Sequence, residues 1–239
     1  NAGCFRQSLP NPAPVRRLKE DAMTPADQAR EAARICALAP VVPVLMIERA
    51  ADAAPLARAL VAGGLPALEV TLRTPAALDA IRAMAEVPGG VVGAGTLLTP
   101  ADVKAAKAAG ARFGVSPGAT GRLLAACEDE GLPLLPGAAT ATEVMALLER
   151  GYTVQKFFPA EAAGGAPALS AIGAPIPQVR FCPTGGIGPR NVGDYLSLGN
   201  VLCVGGSWVA PKDRVAAADW TGIEALARAA AALSRRSRG

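Results

Sequence analysis

Tyr152-Thr153-Val154-Gln155-Lys156-Phe157-Phe158-Pro159 is an apolar run closed by a proline, and it reads as a buried strand with a lysine set inside it. Runs of this kind recur along the chain. Segments 41–47, 67–72, 90–95, 112–116, 133–136, 153–158, 178–182 and 201–204 alternate with amphipathic stretches. Their starts are spaced by roughly 20 to 26 residues, the length of one strand, one helix and two short loops. Helix starts fill the intervals: Thr74-Pro75, Thr99-Pro100-Ala101-Asp102, Thr140-Ala141-Thr142-Glu143 and Gly188-Pro189. Each joins a capping residue to an early proline or to an acid at the third position. Eight βα units in succession predict an α/β fold, a single-domain (β/α)8 TIM barrel. An open doubly wound sheet is the competitor, but it places a glycine-rich phosphate loop after its first strand, where this chain has Ile47-Glu48-Arg49-Ala50.

Composition agrees with that architecture. Of 239 residues, 51% are hydrophobic and only 4% aromatic, so the core is made of Ala, Val, Leu and Ile, as in helices packed on parallel strands. Met23 directly precedes a helix start, Thr24-Pro25-Ala26-Asp27. Residues 1–22 therefore read as an N-terminal extension, disordered or foreign to the folded unit, 23–233 as the barrel and 234–239 as a basic tail. The net charge of +4 is carried by the ends, through Arg6, Arg16, Arg17 and Lys19 at one and Arg235, Arg236 and Arg238 at the other. The body is left slightly acidic, which argues against a nucleic-acid partner.

The five cysteines, Cys4, Cys36, Cys127, Cys182 and Cys203, never take C-x-x-C spacing. A reduced, cytoplasmic setting fits them, and Cys182 and Cys203 read as small core residues. No long uncharged apolar stretch suggests a membrane partner, and no hydrophobic block suggests export. The sequence holds no histidine. Zinc hydrolysis, Ser-His-Asp and Cys-His catalysis drop out with it, leaving carboxylate, lysine, tyrosine or water to move protons, and no metal is expected.

A barrel carries its site at the carboxyl ends of its strands. Lys156 stands near such an end, whereas Lys19, Lys104, Lys107 and Lys212 sit in terminal, helical or loop contexts that water reaches. Burial disfavours a charged amine, and a neutral amine is the nucleophile that condenses with a ketone. A lysine that snorkels from a strand end is the plain alternative. In the second unit, strand alternation groups Glu69, Thr71 and Arg73 on one wall, either as a functional set or as a structural ion pair. The same parity in the sixth unit groups Val154, Lys156 and Phe158, so Lys156 points at Glu69 if that face is interior. Cys182-Pro183-Thr184-Gly185-Gly186-Ile187-Gly188 and Val204-Gly205-Gly206-Ser207-Trp208 close the last two strands. Glycine pairs there serve as ordinary turns or let backbone N–H groups approach a phosphate, with the Ser207 hydroxyl as a further donor. Trp208 is expected to pack under the last loop.

Six stretches together carry a resemblance: Leu68-Glu69-Val70-Thr71-Leu72-Arg73-Thr74, Gly93-Ala94-Gly95-Thr96, Ser116-Pro117-Gly118, Lys156-Phe157-Phe158-Pro159-Ala160-Glu161, Arg180-Phe181-Cys182-Pro183-Thr184-Gly185-Gly186-Ile187 and Gly205-Gly206-Ser207-Trp208. In this order, between about residues 40 and 211, they resemble the bacterial 2-keto-3-deoxy-6-phosphogluconate (KDPG) and 4-hydroxy-2-oxoglutarate (KHG) aldolases. The resemblance implies a cofactor-free homotrimer of (β/α)8 barrels that cleaves KDPG to pyruvate and glyceraldehyde 3-phosphate, and KHG to pyruvate and glyoxylate. It makes Lys156 the Schiff-base lysine and Glu69 the general acid/base. Arg73, Thr96 and Pro117 then surround the pyruvyl end, Phe158 packs beside the imine, and Thr184, Gly185, Gly186, Gly206 and Ser207 hold the far end with its phosphate. Two other readings of the residues stay open, a sugar-phosphate isomerase or epimerase on the same barrel and a non-catalytic phosphometabolite-binding protein.

Overall fold

A computed structural model describes residues 22–234; the expectations for residues 1–21 and 235–239 lie outside the described residues. Nine strands run in the order β1 (Val41–Leu45), β2 (Ala67–Thr71), β3 (Val91–Gly95), β4 (Gly114–Val115), β5 (Leu134–Leu135), β6 (Gly137–Ala138), β7 (Val154–Phe157), β8 (Arg180–Pro183) and β9 (Val204–Gly206). Ten helices accompany them: α1 (Pro25–Ala37), α2 (Ala53–Ala62), α3 (Ala77–Ala85), α4 (Pro100–Ala108), α5 (Gly121–Glu130), α6 (Ala141–Glu149), α7 (Gly165–Gly173), α8 (Val192–Leu196), α9 (Lys212–Ala216) and α10 (Trp220–Ala231). Every strand pair is parallel. The strands form a six-stranded sheet ordered β5-β4-β3-β2-β1-β9 and a three-stranded sheet ordered β6-β7-β8. The result is an α/β fold built on a curled parallel sheet.

Local chemistry explains the helix starts that agree with the sequence. Thr24 with Asp27, Thr99 with Asp102 and Thr140 with Glu143 each form a reciprocal capping box, worth about 1 kcal/mol apiece. Two expected starts are corrected. Thr74-Pro75 caps nothing, because the Thr74 hydroxyl donates instead to the carbonyl of Ile47 and α3 begins at Ala77. Gly188-Pro189 is a turn in which the Gly188 N–H donates to Asn191 Oδ1, and α8 begins at Val192. The strand expected over 133–136 is interrupted by Pro136, which has no N–H for the ladder; its carbonyl still accepts from Lys156 N at 2.8 Å. The last strand lies later than 201–204, so Gly205 and Gly206 belong to β9 rather than to a loop.

Two apolar layers fix which way side chains point. Leu68, Val70, Phe157 and Phe181 belong to the larger core between strands and helices. Ala67, Val154 and Cys182, of opposite parity, belong to a smaller cluster inside the curl, together with Phe113, Val115 and Leu135. Residues alternate faces along a strand, so Glu69 and Lys156 are set on the inside. Helix α1 stands outside the βα succession and packs on this inner cluster through Ala32, Ile35 and Cys36. Gln28 anchors it by accepting from Leu134 N at 3.1 Å and from the Tyr152 hydroxyl at 3.3 Å.

Candidate active site

The inner wall brings together the two titratable residues that the sequence singles out. Lys156 Nζ lies 3.5 Å from Glu69 Oε1, and the residues are 5% and 3% exposed. Burial pushes the Glu69 carboxyl above its usual range, and the neighbouring Lys156 charge opposes that rise without cancelling it. A carboxylate of this kind exchanges protons nearer neutrality than a solvated one does, as a group that must both take and return a proton requires. Room for it comes from the adjacent strand, because a methyl group on Gly95 would overlap the Glu69 carboxylate.

The ring of Phe158 connects the pair to a cavity of about 430 Å³, with its centroid 5.0 Å from Lys156 Nζ. Phe158, Arg73, Thr184, Gly185 and Gly186 line that cavity, as do Gly206 and Ser207. Loop residues after β8 are held by ladder-like bonds, since Ala160 N donates to Thr184 O at 2.8 Å and Glu161 N to Gly185 O at 3.0 Å. Gly185 and Gly186 take φ values of 108° and 78°, which side-chain-bearing residues rarely adopt. Thr184 also bridges to Gly205, which joins the two glycine pairs across the cavity.

Arg73 departs from the expected wall. β2 ends at Thr71, so strand alternation no longer governs Arg73, which is exposed on the cavity rim. It forms no ion pair with Glu69, whose partner is Lys156, and its guanidinium has no carboxylate partner among the described residues. Thr96 and Pro117 are not among the residues lining the cavity. Thr96 directly follows Gly95 with φ at 62°, a left-handed conformation that a β-branched residue adopts only where its surroundings impose it. The carbonyl of Pro117 packs against Gly137, the register partner of Lys156.

Thr71, grouped with Glu69 by strand alternation, lines the cavity and its hydroxyl donates to Leu45 O at 3.0 Å; sequence reasoning missed the β1 end at Val44, Leu45 and Met46, all on the cavity wall. Sequence reasoning also missed Lys212, which is solvent-exposed as expected and yet lines the same cavity as Arg73. A lysine opening a short helix just after the Gly205-Gly206-Ser207 stretch is the only signal that marks it. Lys212 is held loosely, at 4.0 Å from Glu48. The rim thus offers two cations to an anionic ligand above a buried amine and acid.

Comparison with known proteins gives a consistent answer. The sequence profile "KDPG and KHG aldolase" matches residues 32–226. The 2-dehydro-3-deoxy-phosphogluconate aldolase of Pseudoalteromonas atlantica is 54% identical over 194 residues, covering 81% of this chain and 90% of that protein. The crystal structure of the 2-keto-3-deoxy-6-phosphogluconate aldolase of Zymomonas mobilis with 3-phosphoglycerate is 52% identical, with a TM-score of 0.83 over 87% of this chain and 98% of that one. The KDPG aldolase of Legionella pneumophila, with pyruvate captured as a covalent carbinolamine, is 48% identical with a TM-score of 0.81 over 84% and 98% of the two chains.

Proposed function

The chain belongs to the KDPG and KHG aldolase family, and from that membership we propose that it is a Schiff-base lyase, cleaving 2-keto-3-deoxy-6-phosphogluconate to pyruvate and glyceraldehyde 3-phosphate and 4-hydroxy-2-oxoglutarate to pyruvate and glyoxylate. The observation that carries this reading is the buried Lys156–Glu69 pair at 3.5 Å. A sugar-phosphate isomerase and a silent phosphometabolite binder are not favoured, since the relatives named above are aldolases.

In the proposed reaction Lys156 attacks the C2 ketone, and loss of water gives an iminium whose nitrogen accepts the electrons of the breaking C3–C4 bond. Glu69 takes the proton of the C4 hydroxyl, directly or through one water, as the aldehyde departs, and it returns a proton to C3 of the enamine. Hydrolysis then frees pyruvate and the amine. Arg73 meets the substrate carboxylate with its planar fork, which holds the ketone within reach of Lys156. Thr96 and Pro117 shape the pyruvyl end from behind the wall, and Phe158 packs beside the imine. Thr184, Gly185, Gly186, Gly206 and Ser207 take the phosphate end, where Lys212 adds a cation.

A closed (β/α)8 cylinder is the architecture proposed with this function. It is supported by the chain continuity of β5 and β6 across Pro136 and by the bridges Phe181↔Val201 and Thr184↔Gly205, which link β8 to the β9 side of the larger sheet. A homotrimer is supported by the family resemblance. A cytoplasmic location is supported by the four described cysteines, all of them unbridged. No described helix is long and apolar enough to cross a membrane.

The deciding experiment is a coupled assay of pyruvate release from 2-keto-3-deoxy-6-phosphogluconate with the unaltered chain, Lys156→Met and Glu69→Gln, joined to borohydride reduction with pyruvate. Loss of turnover in both folded variants and a covalent mass increase on the Lys156 peptide support the proposal. Turnover without Lys156, or no adduct, overturns it.

A further inference from the structure

A second set of reactive side chains lies inside the curl beside Glu69. Cys36 comes from the last turn of α1, Cys182 from β8 and Cys203 from the residue before β9. Their sulfur atoms all lie within 4.8 Å of one another, and the residues are 2%, 2% and 0% exposed. No local sequence pattern unites them, because each belongs to a different element and only the fold makes them neighbours.

Packing alone accounts for a cysteine as a small apolar residue, but three mutually adjacent thiols in a dry interior are also a ligand set. A d10 ion held tetrahedrally by three thiolates at about 2.3 Å and a fourth ligand keeps its sulfurs about 3.8 Å apart, so closure on an ion needs shifts of no more than about 1 Å. A cavity of about 10 Å³ lined by Cys36, Cys182 and Glu69 adjoins the set. That is about the space of one water molecule, enough for a fourth ligand. Charge narrows the choice of ion. Three thiolates and a divalent ion leave one negative charge, and Lys156 is the register partner of Cys182 across the β7–β8 ladder.

The geometry points to a thiophilic metal site, Cys36–Cys182–Cys203, that takes one divalent ion of the zinc or cadmium class, with water or the Glu69 carboxylate as its fourth ligand. The ion is no part of the proposed reaction. On the Schiff-base reading above, its occupancy places negative charge beside the amine and, with Glu69 as fourth ligand, draws that carboxylate from proton transfer, so it inhibits.

The test uses the full chain carrying Cys4→Ser and Cys127→Ser, reduced and titrated with cadmium. Thiolate-to-cadmium charge-transfer absorption is expected to reach its plateau at one equivalent, cadmium NMR to report three-sulfur coordination, and Cys36→Ala to weaken binding by at least about tenfold. The NMR reading needs no cluster variant, so it stands even if Cys36→Ala fails to fold. Oxygen-only coordination, or undiminished binding in folded Cys36→Ala and Cys203→Ala, overturns the site. Both spectra are read without substrate, so a failure of the Schiff-base reading leaves them unchanged. A failure of the metal site leaves pyruvate release by the reduced protein insensitive to cadmium.

Discussion

Lys156 on β7 and Glu69 on β2 form an ion pair at 3.5 Å although their strands belong to different sheets. Neither strand neighbours the other, so the pair exists only because the curl turns two inner faces toward each other.

Breaking that pair from the lysine side leaves a carboxylate without its cation in a dry interior. Lys156→Met is expected to lower stability at neutral pH by about 3 kcal/mol. Burial already raises the Glu69 pKa, and removing Lys156 raises it further. A carboxyl raised in the folded state keeps its stability contribution below its unfolded value and loses it as pH rises through the folded value. The deficit therefore shrinks toward pH 4.5, the ordinary value for glutamate. Urea melts at acid and neutral pH read this directly, and a deficit that does not change with pH contradicts it.

On the proposed mechanism, the same raised carboxyl sets the acid limb of catalysis. As a base Glu69 must be ionised, so kcat/KM is expected to fall on acidification with a midpoint above 4.5. Glu69→Gln should reduce turnover by about 10² to 10⁴-fold and abolish that limb in the residual rate. A pH profile of both proteins at saturating coupling enzyme provides the check.

Gly95 is where a single methyl group acts on the site without touching substrate. Gly95→Ala is expected to push the Glu69 carboxylate off Lys156 and to lower kcat by about 10²-fold, in line with a displacement of about 1 Å. Retention of full activity in the folded variant would mean that Glu69 is not used where it lies.

On the proposed assignment, the two rim cations serve different ends of the substrate. Arg73→Ala is expected to raise KM for both 2-keto-3-deoxy-6-phosphogluconate and 4-hydroxy-2-oxoglutarate by about 10- to 100-fold, since both carry the carboxylate. Lys212→Ala is expected to raise KM about 2- to 5-fold for the phosphorylated substrate alone, and added salt should erase the difference. Steady-state kinetics with the two substrates at low and high ionic strength distinguish these outcomes.

What the sequence made legible was local or strictly periodic. Capping boxes at Thr24, Thr99 and Thr140 need only neighbouring atoms, and the parity of β2 and β7 pointed Glu69 and Lys156 at each other without reference to the rest of the chain. Tertiary partners account for the errors. Thr74 resembles a helix cap until the Ile47 carbonyl claims its hydroxyl, and Arg73 continues the alternation only on paper because β2 stops at Thr71. Lys212 and the cluster of Cys36, Cys182 and Cys203 were invisible for a related reason, since the residues that give them meaning arrive from distant elements.

The seam between β1 and β9, where Val41, Val42 and Pro43 pair with Val204, Gly205 and Gly206, has a consequence for biosynthesis. Both strands contribute to the cavity wall, so the nascent polypeptide lacks one side of its chamber until the ribosome has translated β9. A chain halted before β9 thus holds Lys156 without the finished compartment that the proposed chemistry needs.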